Sequence, residues 1–132
     1  MATLRREVRI ARPADAVWDV IADAGTIADW FPAMESSSIE GDVRRCSLRS
    51  GLELIERIVT SDAELRRFQY RVTGGVPVIE HLATVDVFAL GPADALLVYS
   101  TEVEPAPLAL VLGDAIEEAV LNLRARLEGS DQ

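Results

Sequence analysis

The stretch DAVWDVIADAGTIADWFPAM, residues 15–34, contains two short helical patterns in succession. Apolar residues recur at helical spacing from Val17 to Ile21, and the first pattern continues as far as Gly25. The following TIADWFP is a second pattern, which Pro32 ends because proline interrupts a helix. The stretch therefore predicts two small helices in a chain that is otherwise rich in strand patterns.

Alternating polar and apolar residues on both sides of this stretch predict seven strands. Residues 3–11 form the first strand, which has one apolar and one charged face. The turn sequences GD, SG, SDA, TGG and GPAD separate six more, over 34–40, 43–50, 52–61, 64–73, 78–90 and 95–104. This order predicts a meander of antiparallel hairpins. Strands 52–61 and 95–104 are apolar on both faces, so their period alone does not say which face is buried.

One long helix is predicted after Pro107, ending at about Glu128. Its apolar residues share one stripe opposite an acidic face, and they are Ala109, Leu112, Ile116, Ala119, Val120, Leu123 and Leu127. Such a helix is expected to lie across the sheet. Leu110 and Leu121 fall on the outer side, which leaves both a monomer and a homodimer open.

Length and composition limit the classes of function that this chain can have. A chain of 132 residues is expected to form a single domain, residues 1–132. The formal net charge of −9 argues against nucleic acid and anionic membranes as partners. All thirteen basic residues are arginine, so Schiff-base and pyridoxal phosphate chemistry, which require lysine, are excluded. The charged opening MATLRREVRI, a single cysteine and the absence of a long apolar run predict a cytoplasmic protein without a transmembrane segment.

The single histidine lies in GVPVIEHLATVDV, residues 75–87, on a predicted strand. Because every second side chain of a strand shares a face, His81 points the same way as Ala83, Val85 and Val87. An imidazole on an apolar face lies either in a filled interior or beside a cavity.

Four segments in order resemble one family. The stretch at 15–34 has a Trp followed by Asp in its first helix and then a W-x-P step, and GDVRRCSLRSGLELIERIVTSD, FQYRVTGGVPVIEHLATVDV and VYSTEVEP follow it. Together they resemble the START-like polyketide cyclase/dehydrase and lipid-transport superfamily, also called SRPBCC proteins. The resemblance implies an α+β helix-grip fold, in which a curved seven-stranded antiparallel sheet wraps a long C-terminal helix around a cavity.

The same resemblance implies which residues face that cavity. It places Leu54, Glu56 and Ile58 inward on one ambiguous strand and Leu97, Tyr99, Thr101 and Val103 inward on the other. The polar cavity residues it implies are Glu56, Tyr70, His81, Tyr99 and Thr101. The implied wall comprises Trp30, Met34, Cys46, Leu48, Leu54, Phe68 and Ala83 from the sheet side, with Leu112, Ile116 and Val120 from the helix.

Buried polar groups without partners are costly, so these either satisfy one another or serve a ligand. The leading hypothesis is binding of a small hydrophobic or aromatic molecule, oriented by the polar residues. One alternative is a cyclase or dehydratase in which His81 moves a proton, Tyr70 or Tyr99 binds an enol oxygen and Glu56 orients the imidazole. Another alternative is a protein-interaction module that uses the outer surface.

Other site types have little support in the sequence. A nucleophilic pair of Cys46 and His81 lacks any local signature, so Cys46 is interpreted as wall. One histidine and one cysteine without paired spacing predict no metal site, and the sequence contains no phosphate loop or dinucleotide fingerprint, so no cofactor is expected.

Overall fold

The computed structural model describes residues 1–129, which contain seven strands, two α-helices and one 3-10 helix. The strands are β1 (Ala2–Ile10), β2 (Met34–Glu40), β3 (Val43–Leu48), β4 (Glu53–Asp62), β5 (Arg67–Gly74), β6 (Glu80–Gly91) and β7 (Asp94–Glu104). The helices are α1 (Ala14–Ala22), the 3-10 helix (Ala24–Asp29) and α2 (Leu108–Gly129). The two short helices lie between β1 and β2, as the sequence predicts.

All seven strands join one antiparallel sheet in the order β1-β7-β6-β5-β4-β3-β2. Consecutive strands from β2 to β7 are neighbours, and β1 closes the series beside β7. The register shifts within the β2–β3, β4–β5 and β6–β7 pairs, and such interruptions of the ladder bend a sheet. The helix α2 packs against β1 and β7. This arrangement confirms the predicted helix-grip fold.

The buried face of the sheet agrees with the expected phase of each strand. Phe68, Tyr70 and Val72 of β5 are buried. On the two ambiguous strands, the buried residues are Leu54 and Glu56 of β4 and Leu97, Tyr99, Thr101 and Val103 of β7, while Ile58 is half-buried. The apolar stripe of α2 also faces inward, since Ile116, Ala119 and Leu123 are all buried.

Two predicted strands were too long because turn geometry ends them. β3 stops at Leu48, and Gly51 in the following turn has a φ of +96°, a conformation that favours glycine. β5 begins at Arg67 rather than at residue 64. The Asp62 carboxylate accepts the backbone N–H groups of Glu64 and Leu65, and this cap holds the preceding residues in a turn.

Candidate ligand cavity

An internal cavity of about 320 Å³ lies between the sheet and α2. This volume is at the lower end of the range of about 300–1,000 Å³ that is common for small-molecule pockets. Its lining residues are Phe31, Ala33, Met34, Leu48, Arg49, Ser50, Leu54, Glu56, Tyr70, Val72, His81, Thr101, Val111, Leu112, Ala115 and Ile116. The wall is thus mainly apolar, with a few polar groups contributed by the strands.

A second space of about 220 Å³ adjoins the cavity, and the two share Leu48, Ser50, Leu54, Val72, His81, Val111 and Leu112. We call this outer space the mouth, and its rim is formed by Ser50, Leu52, Val76, Val78, Leu108 and Val111. A Cβ atom at Gly75 would lie 1.9 Å from the carbonyl oxygen of Glu53. The loop between β5 and β6 therefore approaches β4 closely, and this approach positions Val76 and Val78 at the rim.

A buried ion pair occupies the interior behind the cavity wall. Arg44 of β3 and Glu56 of β4 face each other in the strand register, and Arg44 Nε donates to Glu56 Oε1 at 2.7 Å. Both side chains are only 2% exposed. The guanidinium also donates to the carbonyl oxygen of Ala24 at 3.1 Å and lies 4.7 Å from the ring centroid of Tyr70. Glu56 lines the cavity, whereas Arg44 does not.

Electrostatics within this pair keep the arginine charged. Burial alone lowers the pKa of Arg44, but the facing carboxylate and two tyrosines outweigh this effect and raise it. Burial raises the pKa of Glu56, and the guanidinium opposes that shift. Removing two opposite charges from water together is far less costly than burying either one alone. The pair therefore adds polarity to the interior without adding net charge.

The two tyrosines form a second closed pair, because the hydroxyl groups of Tyr70 and Tyr99 share a hydrogen bond. Burial raises the pKa of both phenols well above the ordinary value, so both stay protonated at neutral pH. Tyr70 lines the cavity, and Tyr99 lies behind it, fully buried.

His81 is held by the backbone rather than by a carboxylate. Its Nδ1 accepts the N–H of Val72 at 3.0 Å. The β5–β6 ladder pairs residues 67–70 with 83–86 and ends before Val72. The Val72 N–H therefore has no β6 carbonyl to bond to, and it donates to the imidazole instead. Burial, with a smaller contribution from Arg71, lowers the pKa of His81 to about 4. The ring is therefore neutral at pH 7, and its proton lies on Nε2, which has no protein partner within residues 1–129.

A sequence model of the family described as "Polyketide cyclase / dehydrase and lipid transport" matches residues 1–128. The chain belongs to this family. A comparison with curated proteins gives no match. Among solved structures, protein XoxI from Bacillus cereus is 20% identical with a TM-score of 0.93, covering 100% of this chain and 99% of its own. The Zhui aromatase/cyclase from Streptomyces sp. R1128 is 22% identical with a TM-score of 0.86, covering 99% and 96%.

A START superfamily protein from Mycobacterium smegmatis is similar as well, at 17% identity and a TM-score of 0.83, covering 96% of this chain and 97% of its own. At these identities the structural similarities show a shared fold. The polyketide cyclase/dehydrase and lipid transport family is thus the level at which the comparisons place this chain.

Within this family member, the structure places nine of the fifteen candidate residues on the cavity wall. They are Met34, Leu48, Leu54, Glu56, Tyr70, His81, Thr101, Leu112 and Ile116. The other six are buried but do not line the cavity, and they are Trp30, Cys46, Phe68, Ala83, Tyr99 and Val120. Trp30 packs against the ring of Phe31, which does line the cavity, and the Arg44 guanidinium lies 5.5 Å from the ring centroid of Phe68.

The sequence analysis missed several lining residues and the buried arginine. The missed wall residues are Phe31, Ala33, Arg49, Ser50, Val72, Val111 and Ala115. A signal for Arg44 was present, because it alternates in phase with Cys46 and Leu48 and so shares their inward face. Ala115 lies one turn before Ala119 of the predicted stripe, so helical spacing also indicated its position.

This geometry bears on two of the chemical roles that the sequence analysis considered, the orienting role of Glu56 in the enzyme alternative and the nucleophilic role of Cys46. Glu56 does not orient the imidazole of His81, because the carboxylate binds Arg44 and a backbone N–H holds Nδ1. Cys46 Sγ lies 3.7 Å from Glu56 Oε1, and burial with this acidic neighbour raises the pKa of the thiol to about 12. Such a thiol is protonated at neutral pH and is a poor nucleophile.

Two further absences concern only residues 1–129. No three His, Cys, Asp or Glu side chains within them are placed to hold a metal ion together. No helix in this part of the chain combines the length and the apolar composition that crossing a bilayer requires.

The low pKa of His81 makes the stability of the protein sensitive to acid. The ordinary pKa of histidine is 6.5 and that of folded His81 is about 4, so between these values the unfolded state binds more protons. We expect the free energy of unfolding of the wild type, relative to His81→Gln, to fall by about 2–3 kcal/mol between pH 7 and pH 4. Glutamine can still accept the Val72 N–H but does not titrate. Urea unfolding of both proteins at several pH values measures this difference, and parallel pH profiles would contradict it.

Proposed function

We propose that this protein binds a small hydrophobic or aromatic molecule in the cavity between the sheet and α2. The observation that carries the proposal is the cavity of about 320 Å³, whose wall is apolar except for a few strand-borne polar groups. Packed protein interiors contain few voids larger than a water molecule. An apolar space of this size is therefore better explained by a ligand than by packing.

The route into the cavity supports the same function. The mouth is apolar, and two of its rim residues, Leu52 and Val111, are 50% and 70% exposed. Exposed apolar side chains beside an apolar opening favour the passage of a hydrophobic molecule over that of an ion. The net charge of −9 likewise favours a ligand that is not an anion.

The geometry of His81 favours binding over proton abstraction. A base must offer a free lone pair, but the lone pair of Nδ1 is occupied by the Val72 N–H, and Nε2 carries the proton. A neutral imidazole in this state donates a hydrogen bond to a ligand. The cyclase or dehydratase alternative would require His81 to change tautomer and leave the Val72 N–H without its acceptor.

A thermal-shift experiment tests the proposal with N-phenyl-1-naphthylamine, a neutral apolar dye. A ligand that binds only the folded state stabilises it, by about 2.7 kcal/mol at a concentration one hundred times Kd. We expect the melting temperature to rise with dye concentration and saturate at one dye per chain. A panel of neutral aromatic and aliphatic compounds that leaves the melting temperature unchanged would contradict the proposed function.

A further inference from the structure

Three polar groups of the cavity wall have hydrogen-bonding capacity that the protein leaves unused. Thr101 Oγ1 is fully buried and has no partner within residues 1–129. In the same part of the chain, His81 Nε2 and Glu56 Oε2 are also without partners, because the recorded bonds of these side chains use Nδ1 and Oε1. Polar groups without partners in an apolar interior are unfavourable, so a ligand that bonds to them gains affinity.

The strand register places these groups on one wall of the same cavity. Glu56 of β4 faces Val72 of β5, whose N–H holds His81 of β6. Thr101 of β7 faces Ala83, two residues beyond His81, so the histidine and the threonine are diagonal neighbours on the inward face. Glu56, His81 and Thr101, which carry a carboxylate acceptor, an imidazole donor and a hydroxyl that can do either, therefore all line the same cavity.

From this set we infer that the ligand presents a neutral hydroxyl group, phenolic or alcoholic, to the inner wall of the cavity, and that molecules ending in an ionised carboxylate are poor ligands there. This inference rests on the proposed function. A hydroxyl can donate to Glu56 Oε2 and can equally accept from His81 Nε2 or Thr101, so it can bond to whichever of these groups it reaches. A ketone accepts but cannot donate, and an ammonium group donates but cannot accept.

Charge explains the exclusion of carboxylates. Glu56 faces the cavity, whereas Arg44, its neutralising partner, is not a lining residue. An entering carboxylate would therefore lie closer to the negative member of the ion pair than to the positive one, in a region where water screens charge little. Arg49 is the one cation among the lining residues that the structure describes, and it is exposed and donates to the carbonyl oxygen of Pro32. A ligand whose carboxylate binds Arg49 would leave Glu56, His81 and Thr101 without a hydrogen-bond partner.

Three probes with one ring system test this inference: 2-naphthol, naphthalene and 2-naphthoate. Each competes with N-phenyl-1-naphthylamine for the protein at pH 7. We expect 2-naphthol to bind about tenfold more tightly than naphthalene, as one or two buried hydrogen bonds would give, and 2-naphthoate to bind most weakly. If none of the four compounds binds, the proposed function itself fails. If naphthalene and 2-naphthol bind equally, or 2-naphthoate binds best, the cavity binds ligands but the inferred hydroxyl preference is wrong.

Substituting Thr101 tests whether its hydroxyl causes the preference for 2-naphthol. Thr101→Val keeps the shape of the side chain and removes only the hydroxyl. Because that hydroxyl has no partner in the unliganded protein, we expect the melting temperature to stay the same or rise. The ratio of 2-naphthol affinity to naphthalene affinity should fall at least threefold. Thr3→Val, the same change at an exposed position of β1, is the control and should alter neither. An unchanged preference in Thr101→Val would overturn the assignment.

Discussion

Replacing Arg44 by methionine is expected to lower the free energy of unfolding by about 3–5 kcal/mol, the usual cost of leaving one member of a buried ion pair without its partner. Methionine retains much of the length of the arginine stem. The loss therefore comes mainly from the stranded Glu56 carboxylate, which Arg44 contacts at 2.7 Å in the native protein. Urea unfolding of both proteins at pH 7 measures the difference.

A neighbouring arginine supplies the matched control. Arg45 is the next residue of β3 and points outward, where its ion pair with Glu53 is 3.7 Å long and both side chains are more than half exposed. Arg45→Met should change stability by less than about 1 kcal/mol, as is usual for exposed pairs. The double variant Arg44→Met/Glu56→Met should recover most of the loss, because it leaves no charge unpaired. If Arg44→Met is no more destabilising than Arg45→Met, the buried pair does not have the role described above.

Filling the cavity from the helix side is expected to abolish ligand binding without unfolding the protein. Ala115 of α2 lines the cavity, so Ala115→Phe places a ring in the space that a ligand would occupy. We expect the affinity for N-phenyl-1-naphthylamine to fall about tenfold or more, since overfilling an enclosed apolar site costs about 1–3 kcal/mol. The melting temperature should change little, because the ring enters a void rather than packed core.

Ala125→Phe is the control for this variant. Ala125 lies on the same helix but is exposed and away from the cavity, so the same substitution there should leave dye binding unchanged. Equal dye affinity in the Ala115→Phe and Ala125→Phe proteins would indicate that the dye binds elsewhere.

Local pattern was enough to predict the fold but only part of the site. The alternation of polar and apolar residues around Tyr70 predicts only a strand with one buried face, and the apolar stripe through Ile116 predicts only a helix with one buried side. The structure confirms both predictions. The strands that are apolar on both faces required the family resemblance, which placed Glu56 and Thr101 inward. Arg44 was missed because an arginine in a strand usually points to solvent, although its phase with Cys46 indicated the opposite.

The partners of the polar groups depend on geometry between distant parts of the chain. Arg44 meets Glu56 only because the loop between β3 and β4 sets the register that places them opposite each other. His81 receives the N–H of Val72 only because the β5–β6 ladder does not extend that far. Neither feature has a local sequence signal. The enzyme alternative therefore placed Glu56 against the imidazole, whereas the structure places Arg44 against Glu56 and the Val72 N–H against the imidazole.

The most direct test of ligand binding in the cavity is an isotope-filtered NOE experiment on ¹³C-labelled protein with unlabelled N-phenyl-1-naphthylamine. Such spectra report only contacts between dye protons and protein protons. We expect NOEs to the methyl groups of Leu54, Leu112 and Ile116, which line the cavity, and none to those of Leu110 and Leu121, which are 78% and 45% exposed on the outer side of α2. NOEs confined to Leu110 and Leu121 would contradict ligand binding in the cavity and favour an outer interaction surface instead.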